Sequence, residues 1–145
     1  MASLQTAFFA DSVIVQDGKF FVWGGGIDRT YAPAFPAHTT FYLMAQISFE
    51  PTECGKPHTL QVNIVDEDGQ PVGPSMPPQA FIPQRELDPT LSVRHNLVLG
   101  FQGLAFAKPS KIVFSVIVDN QVLGSLVYQA VQMTQAPASG WQSRS

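Results

Sequence analysis

Residues 13–36 read VIVQDGKFFVWGGGIDRTYAPAFP, and this stretch decides the fold class. In its centre, Asp17-Gly18 separates two apolar segments. An Asp-Gly pair in this position is typical of a tight β-hairpin, because the turn needs positive φ angles. The glycine run 24–26 follows the second segment, and glycine inside a strand marks a bulge or a close approach between backbones. The stretch therefore predicts an antiparallel hairpin whose second strand ends in a distortion.

Outward from this hairpin, most of the chain alternates apolar and polar residues with a period of two. This pattern is typical of strands that bury one face. In residues 41–49 the inward positions are Phe41, Leu43, Ala45, Ile47 and Phe49. The alternation returns in residues 59–66, 92–102 and 111–118, and apolar segments at 4–10 and 121–133 complete the set. Residues 71–89 are rich in proline and predict irregular edge strands and loop.

No part of the chain carries a sustained helical pattern of apolar residues. About eight strands joined by short turns predict an all-β fold with little or no helix. We expect an antiparallel β-sandwich of the immunoglobulin-like or C2-like type. The chain has 145 residues, which is the size of one ordinary domain. We expect residues 1–133 to form this single domain and residues 134–145 to form a C-terminal tail.

The surface is expected to carry few charges. Asp, Glu, Lys and Arg make up 13% of the residues, whereas roughly 25% is typical of soluble domains. Covering such a surface removes the hydration of few ions, so it is easily desolvated. Two interpretations stay open. Either the surface is buried against other subunits, or it is a neutral surface without such a role, since solvated surfaces vary widely in charge.

Charge and cysteine content argue against several classes of partner. The net charge is −3 and the Lys and Arg residues are few and scattered, so no nucleic-acid-binding surface is predicted. No apolar run is long enough to span a bilayer, and no basic amphipathic segment indicates membrane-surface binding. Cys54 is the single cysteine, which excludes an internal disulfide. Because the N-terminus also lacks the features of a signal peptide, we expect a cytoplasmic location.

Several short motifs occur in order between residues 9 and 36. They are Ala10-Asp11, Asp17-Gly18-Lys19, Gly24-Gly25-Gly26, Ile27-Asp28-Arg29 and Phe35-Pro36. In this combination the chain resembles a family of small bacterial proteins known only as a domain of unknown function. The turn at residues 65–69 and the segment 116–120 fit the same resemblance, which runs from about Leu4 to Met133. The resemblance implies a compact β-sandwich and brings no catalytic residues.

The glycine run 24–26 has two interpretations. Consecutive backbone N–H groups can form a nest that holds an anion. The run is not a phosphate loop, however, because neither Gly-Lys-Ser/Thr nor a helix follows it. We favour a β-bulge or a crossing point where side chains would clash.

Acidic residues in two turns suggest a second candidate site. Asp66 and Asp68 with the intervening Glu67, together with Asp119 and Asn120, could form a calcium site at one end of the sandwich. The same residue types are what hairpin turns require. We favour the turn interpretation, since no further acidic loop supplies the missing oxygen ligands.

The remaining candidate residue groups give weaker indications of a functional site. Cys54 and His58 are four apart, but a zinc site needs about four convergent ligands and no second close pair exists. No nucleophile elbow or Ser/His/Asp order stands out. Asp28 beside Arg29 is expected to be a structural ion pair. We therefore expect no catalytic residues, no cofactor and no enzymatic activity.

The C-terminal tail, TQAPASGWQSRS, has the composition of a disordered segment. Trp141 is its only large apolar residue, and a lone Trp is a good anchor on a neighbouring surface. The alternative is that Trp141 packs on its own domain. These features favour a structural or interaction protein that assembles with its own copies or within a larger particle, through edge strands and terminal arms. The alternative function is a ligand- or calcium-binding module that uses the acidic turns.

Overall fold

The structure is a computed structural model and describes residues 1–73 and 76–133. Nine strands lie in these residues. They are β1 (Ser3–Gln16), β2 (Lys19–Ile27), β3 (Arg29–Ala32), β4 (Ala37–Phe49), β5 (His58–Asp66), β6 (Met76–Phe81), β7 (Val93–Phe106), β8 (Ser110–Val118) and β9 (Gln121–Gln132). A 3-10 turn at Pro51–Glu53 is the only helical element in the described residues, and none of them forms a helix that could cross a membrane.

The strands form two sheets that face each other as a β-sandwich. The first sheet has four strands in the order β2-β1-β4-β7, and the second has five in the order β3-β9-β8-β5-β6. The predicted all-β sandwich is therefore confirmed. One pair departs from the expected antiparallel arrangement, because β3 pairs with β9 in parallel from Arg29 opposite Gln129 to Ala32 opposite Gln132. This pairing joins the connector after β2 to the edge of the second sheet.

The alternating positions predicted to face inward fill the space between the sheets. All five such residues of β4 are fully buried, and Ile112, Phe114, Val116 and Val118 of β8 are buried opposite them. At the centre, Phe41 stacks on Tyr128 with ring centroids 4.0 Å apart and the rings nearly parallel. Phe9 and Phe114 contact the edge of this pair. Period-two patterning thus placed the core correctly.

The first hairpin differs from the expected layout. The sequence predicted separate strands at residues 4–10 and 13–16, whereas β1 runs continuously through both. Only its first part belongs to the body of the sandwich, since pairing with β4 ends at Ala10 opposite Tyr42. Beyond Ala10, β1 pairs with β2 alone, down to Gln16 opposite Lys19. This distal part of the hairpin, residues 11–23, is called the flap below.

Candidate functional site

The flap folds back over the outer face of the first sheet. Val13 is buried there together with Met44, which lies on the side of β4 that faces away from the sandwich core. Phe20 packs on the same cluster, with its ring centroid 6.2 Å from that of Phe8. At the tip, the side-chain amide of Asn96 on β7 donates a hydrogen bond of 3.3 Å to the carbonyl of Gly18. The flap therefore crosses from β1 to β7 and covers a second, smaller apolar cluster.

The glycine run marks the point where the flap leaves the sheet. The register of β1 and β2 shifts between Phe9 and Ala10, because Phe9 lies opposite Ile27 and Ala10 opposite Gly25. Gly26 is the extra residue, and its φ of +84° is a conformation that glycine adopts most readily. This is the bulge predicted from the sequence. Gly24 has a further constraint, since a Cβ there would come within 2.0 Å of the Asp11 carboxylate.

The opposite side of the flap exposes apolar side chains to solvent. In an antiparallel pair, residues that lie opposite each other share a face. Ile14 lies opposite Phe21, and Trp23 follows on the same face opposite Ser12. The exposed fractions are 47% for Ile14, 45% for Phe21 and 56% for Trp23. We refer to these three side chains as the flap face.

The flap face is an apolar surface whose three side chains carry no titratable group. About half of each of three large side chains amounts to roughly 300 Å² of apolar area. Contiguous patches of about this size on soluble proteins are often functional. The sequence contains a pattern that indicates this surface. The segments on either side of Asp17-Gly18 are apolar at consecutive positions, whereas a strand with one solvated face alternates.

The acidic turns do not come together. Asp66 ends β5 and lies opposite Ile112 near the start of β8, whereas Asp119 follows the far end of β8. At about 3.3 Å per residue, this separates them by roughly 20 Å. The structure therefore does not bring Asp66 and Asp68 together with Asp119. Among the described residues, no group of three or more His, Cys, Asp or Glu side chains could hold a metal ion.

Each acidic turn has a local structural role. The Asp66 carboxylate accepts hydrogen bonds of 2.9 Å from the backbone N–H groups of Asp68 and Gln70, which closes the turn as an Asx motif. Glu67 accepts a hydrogen bond from the Lys111 N–H. A cavity of about 460 Å³ lies beside this turn, between it and residues 105–110. Because the turn's own N–H groups occupy one Asp66 oxygen, the turn interpretation explains these residues.

His58, the first residue of β5, contacts Asp119 and Glu53 at the other end of the sandwich. Its Nδ1 lies 2.7 Å from the Asp119 carboxylate and its Nε2 lies 2.8 Å from the Glu53 carbonyl. Both partners are acceptors, so both ring nitrogens donate when the imidazole is protonated. The hydrogen bond to Asp119 raises the pKa of His58 above its usual value. Burial acts to raise the pKa of Asp119, but hydrogen bonds from His58 and Thr59 outweigh it and lower that pKa.

This pair predicts a stability that falls as pH rises. Because the folded pKa of His58 is raised, its stabilisation is fully present below the ordinary value of 6.5 and is lost as pH rises through the folded pKa. Asp119 stays ionised in that window. Between pH 5.5 and 8.5, we expect wild type to lose about 1 kcal/mol of unfolding free energy that the His58→Gln variant does not lose. Urea unfolding at both pH values measures this difference.

Comparing wild type with His58→Gln removes the contribution of His95 to the pH dependence of stability, which has the opposite sign. Half-buried His95 packs against Phe81 with the rings tilted, and burial lowers the pKa of His95, so its neutral form is favoured in the folded protein. Its effect is the same in wild type and in His58→Gln and therefore cancels. If the unfolding free energy of wild type changes with pH as that of the variant does, folding does not raise the pKa of His58.

The remaining predicted residues have structural surroundings. Cys54 is buried and its thiol donates to the Glu50 carbonyl at 3.6 Å, whereas the two ring nitrogens of His58 contact Asp119 and Glu53. The predicted ion pair is confirmed, since Arg29 Nε donates to the Asp28 carboxylate at 2.8 Å and holds the pKa of that carboxyl below its usual range. Trp141, the predicted anchor, lies outside the described residues.

Sequence comparison agrees with the motifs around the flap. A family model described as a family of unknown function, DUF6941, matches residues 5–131. The chain belongs to this family. The matched residues contain the flap, its glycine bulge and all nine strands except the first residues of β1 and the last residue of β9. A search of curated proteins found no significant match to this DUF6941 member.

Six chains of solved structures match this chain. One of them is the Pseudomonas fluorescens alkylpurine DNA glycosylase AlkC bound to DNA containing an abasic site analog. The two proteins share 9% sequence identity with a TM-score of 0.48. The alignment covers 89% of this chain and 30% of the glycosylase chain. The DUF6941 chain thus corresponds to less than a third of that protein, and nothing about its activity is carried over.

Proposed function

We propose that this DUF6941 member is a non-enzymatic structural or interaction protein that assembles with its own copies or within a larger particle. The flap face carries this proposal. Ile14, Phe21 and Trp23 project from a hairpin that is itself held against the sheet by a buried cluster and by the Asn96 hydrogen bond. A preorganised apolar surface of this kind loses little conformational entropy when a partner covers it.

The composition of the patch and of the chain supports the same function. Aromatic residues are enriched at the centres of interfaces, and charged residues are depleted there. The flap face contains two aromatic side chains, and the whole chain is 13% charged. Since an interface of standard size buries about 800 Å² on each partner, the flap face corresponds to its central part. Neighbouring half-exposed residues of the flap would form the rim.

Two substitutions test this function. We expect the double variant Phe21→Ser, Trp23→Ser to lower the self-association constant by at least about tenfold, because both changes remove apolar area from the interface. Sedimentation velocity over a range of protein concentrations measures the constant. Val122→Ser is the matched control, since Val122 is 60% exposed on β9 and lies in the other sheet.

The first measurement is the sedimentation of the wild-type protein. If it sediments as a monomer at all concentrations, the proposed assembly is wrong. If it assembles but the double variant behaves as Val122→Ser does, the flap face is not the contact. The chain shortened to residues 1–133 tests the further expectation that Trp141 anchors a neighbouring subunit, because that expectation predicts weaker assembly without residues 134–145.

We further propose an immunoglobulin-like sandwich and a cytoplasmic location. The neighbouring strands β1-β4-β7 correspond in chain order to strands A, B and E, and β9-β8-β5-β6 to G, F, C and C′. β2 and β3 are then additions between A and B. A reduced, buried Cys54 fits a reducing compartment. Strand connectivity from an experimental structure, and fractionation of cells that produce the protein, test these two points.

A further inference from the structure

The two sheets have four edges, and three of them are protected against pairing with another chain. β6 contains Pro77 and Pro78, which lack the N–H group that a ladder needs. β3 has only four residues, and the part of β9 that it leaves unpaired, residues 121–128, is interrupted by a bulge where Val116 lies opposite Gly124 and Ile117 opposite Val122. β2 is bent by the glycine bulge and turned over the sheet as part of the flap. Short strands, prolines and bulges are the usual means of blocking an edge.

The fourth edge, β7, has none of these protections over most of its length. It spans 14 residues, VRHNLVLGFQGLAF, with no proline and with Arg94 as its only charged residue. Its pairing with β4 is regular from Val93 opposite Phe49 to Phe101 opposite Phe41, and the register shifts only beyond that point. Residues 93–101 therefore form a straight strand whose second side faces outward.

That outward side has unused hydrogen-bonding groups. In an antiparallel pair, alternate residues direct their N–H and C=O groups away from the partner strand. Within residues 1–73 and 76–133, no backbone hydrogen bond outside the strand ladders involves residues 93–106. A cavity of about 240 Å³, lined by Gly73 and residues 100–105, lies next to the edge. The edge thus offers donors and acceptors along an accessible side.

We infer that β7 pairs with β7 of a second copy, in antiparallel orientation about a two-fold axis, so that the first sheets of two molecules become one continuous sheet. This inference rests on the proposed function and names the partner. A second copy fits because residues 93–101 are complementary to themselves. A two-fold axis at Leu97 pairs all nine residues and keeps apolar Leu97, Leu99 and Phe101 on the core side.

Charge supports the same pairing. About this axis, Arg94 lies opposite Gly100 of the second copy, so the single charge of each strand meets no like charge. Val98 lies opposite Asn96 of the second copy, which brings the two Val98 side chains into a diagonal relation at about 7–8 Å. Val98 packs at the margin of the cluster beneath the flap. The pairing would therefore extend that apolar cluster across the dimer.

The position of Val98 gives a test by charge. Val98→Lys and Val98→Glu each place two like charges near the axis, and we expect each variant alone to dimerise at least about tenfold more weakly than wild type. In the mixed dimer of an equimolar mixture, Lys and Glu take these diagonal positions and attract each other. We expect the mixture to dimerise more tightly than either variant alone, measured by sedimentation velocity and by the mass of the mixed dimer.

The mixture controls for damage to the fold, because each variant carries the same substitution in the mixture as it does alone. Val122→Lys and Val122→Glu are the surface controls, because Val122 is exposed on β9 in the other sheet. A monomeric wild type would overturn both the proposed function and this pairing. A wild type that assembles, while Val98→Lys assembles equally well or the mixture regains nothing, would overturn the β7 pairing alone.

Two other occupants of the edge give different results. If residues 134–145 of the same chain cover β7, the chain shortened to 1–133 will dimerise more tightly than the full chain, which contradicts the inference. If an unrelated peptide is the natural occupant, the amides of residues 93–101 will exchange with solvent at the same rate at low and high protein concentration. The inference requires their exchange to slow as concentration rises, in step with the dimer mass.

Discussion

Replacing Phe41 with alanine is expected to lower the free energy of unfolding by about 3–5 kcal/mol. Phe41 is fully buried at the centre of the sandwich and stacks on Tyr128 at 4.0 Å. Removing the ring leaves a cavity whose walls belong to both sheets, since Phe9 and Phe101 lie on one sheet and Phe114 on the other. Strand ladders cannot move inward to fill such a cavity without losing hydrogen bonds. Urea unfolding measures the change.

A second substitution separates the core from the flap. Phe20→Ala removes the same ring from a partly buried position beside the cluster beneath the flap, where the hairpin can adjust. We expect a loss well below that of Phe41→Ala. Because domains of this size have roughly 5–15 kcal/mol of stability, Phe41→Ala alone can approach the limit of folding. Phe41→Leu keeps part of the volume and provides a folded intermediate case. Equal losses for Phe41→Ala and Phe20→Ala would contradict the central position of Phe41.

Much of the sandwich could be predicted because each central strand has one core face. In β4, β5 and β8, apolar residues occupy every second position, and a strand with this pattern has only one orientation that buries them. The hairpin turn at Asp17-Gly18 and the bulge at the glycine run were also predicted, because backbone positions with positive φ favour glycine and, in turns, Asp. Local chemistry was sufficient for both.

The flap could not be predicted in the same way. Met44 occupies the face of β4 opposite to the predicted core face, yet it is fully buried. Its burial depends on the direction in which the hairpin bends after Ala10, and the bend is set by contacts with β4 and β7 that are distant in sequence. Period-two patterning assigns a residue to a face but does not reveal what covers that face.

The sequence could not show whether the two acidic turns lie at the same end of the sandwich. Turn residues are recognisable in the sequence, but the end of the sandwich at which each turn lies depends on strand pairing. β5 runs antiparallel to β8, so the turn after β5 meets the beginning of β8 and the turn after β8 meets the beginning of β5. Asp119 consequently binds His58 rather than joining Asp66.

Replacing Met44 with lysine is expected to open the flap without unfolding the sandwich. A lysine at this fully buried position must either lose its hydration beneath the flap or reach water after the flap lifts. Burying an unpaired charge costs several kcal/mol. Lifting the flap exposes mainly Val13 and part of Phe20, at roughly 1.5–3 kcal/mol for a fully buried side chain. Opening is therefore the smaller cost, and the core between the sheets is unaffected.

The open flap has a direct readout at its tip. Lys19 follows the turn, and trypsin cleaves after lysine only where the surrounding chain can leave its fold. We expect cleavage after Lys19 in Met44→Lys to be at least about tenfold faster than in wild type, with a far smaller change in the unfolding midpoint than in Phe41→Ala. Met44→Leu, which keeps an apolar side chain of similar volume, is the matched control and should retain slow cleavage. Cooperative loss of all strands in Met44→Lys, or unchanged cleavage after Lys19, would show that the flap and the sandwich unfold as one unit.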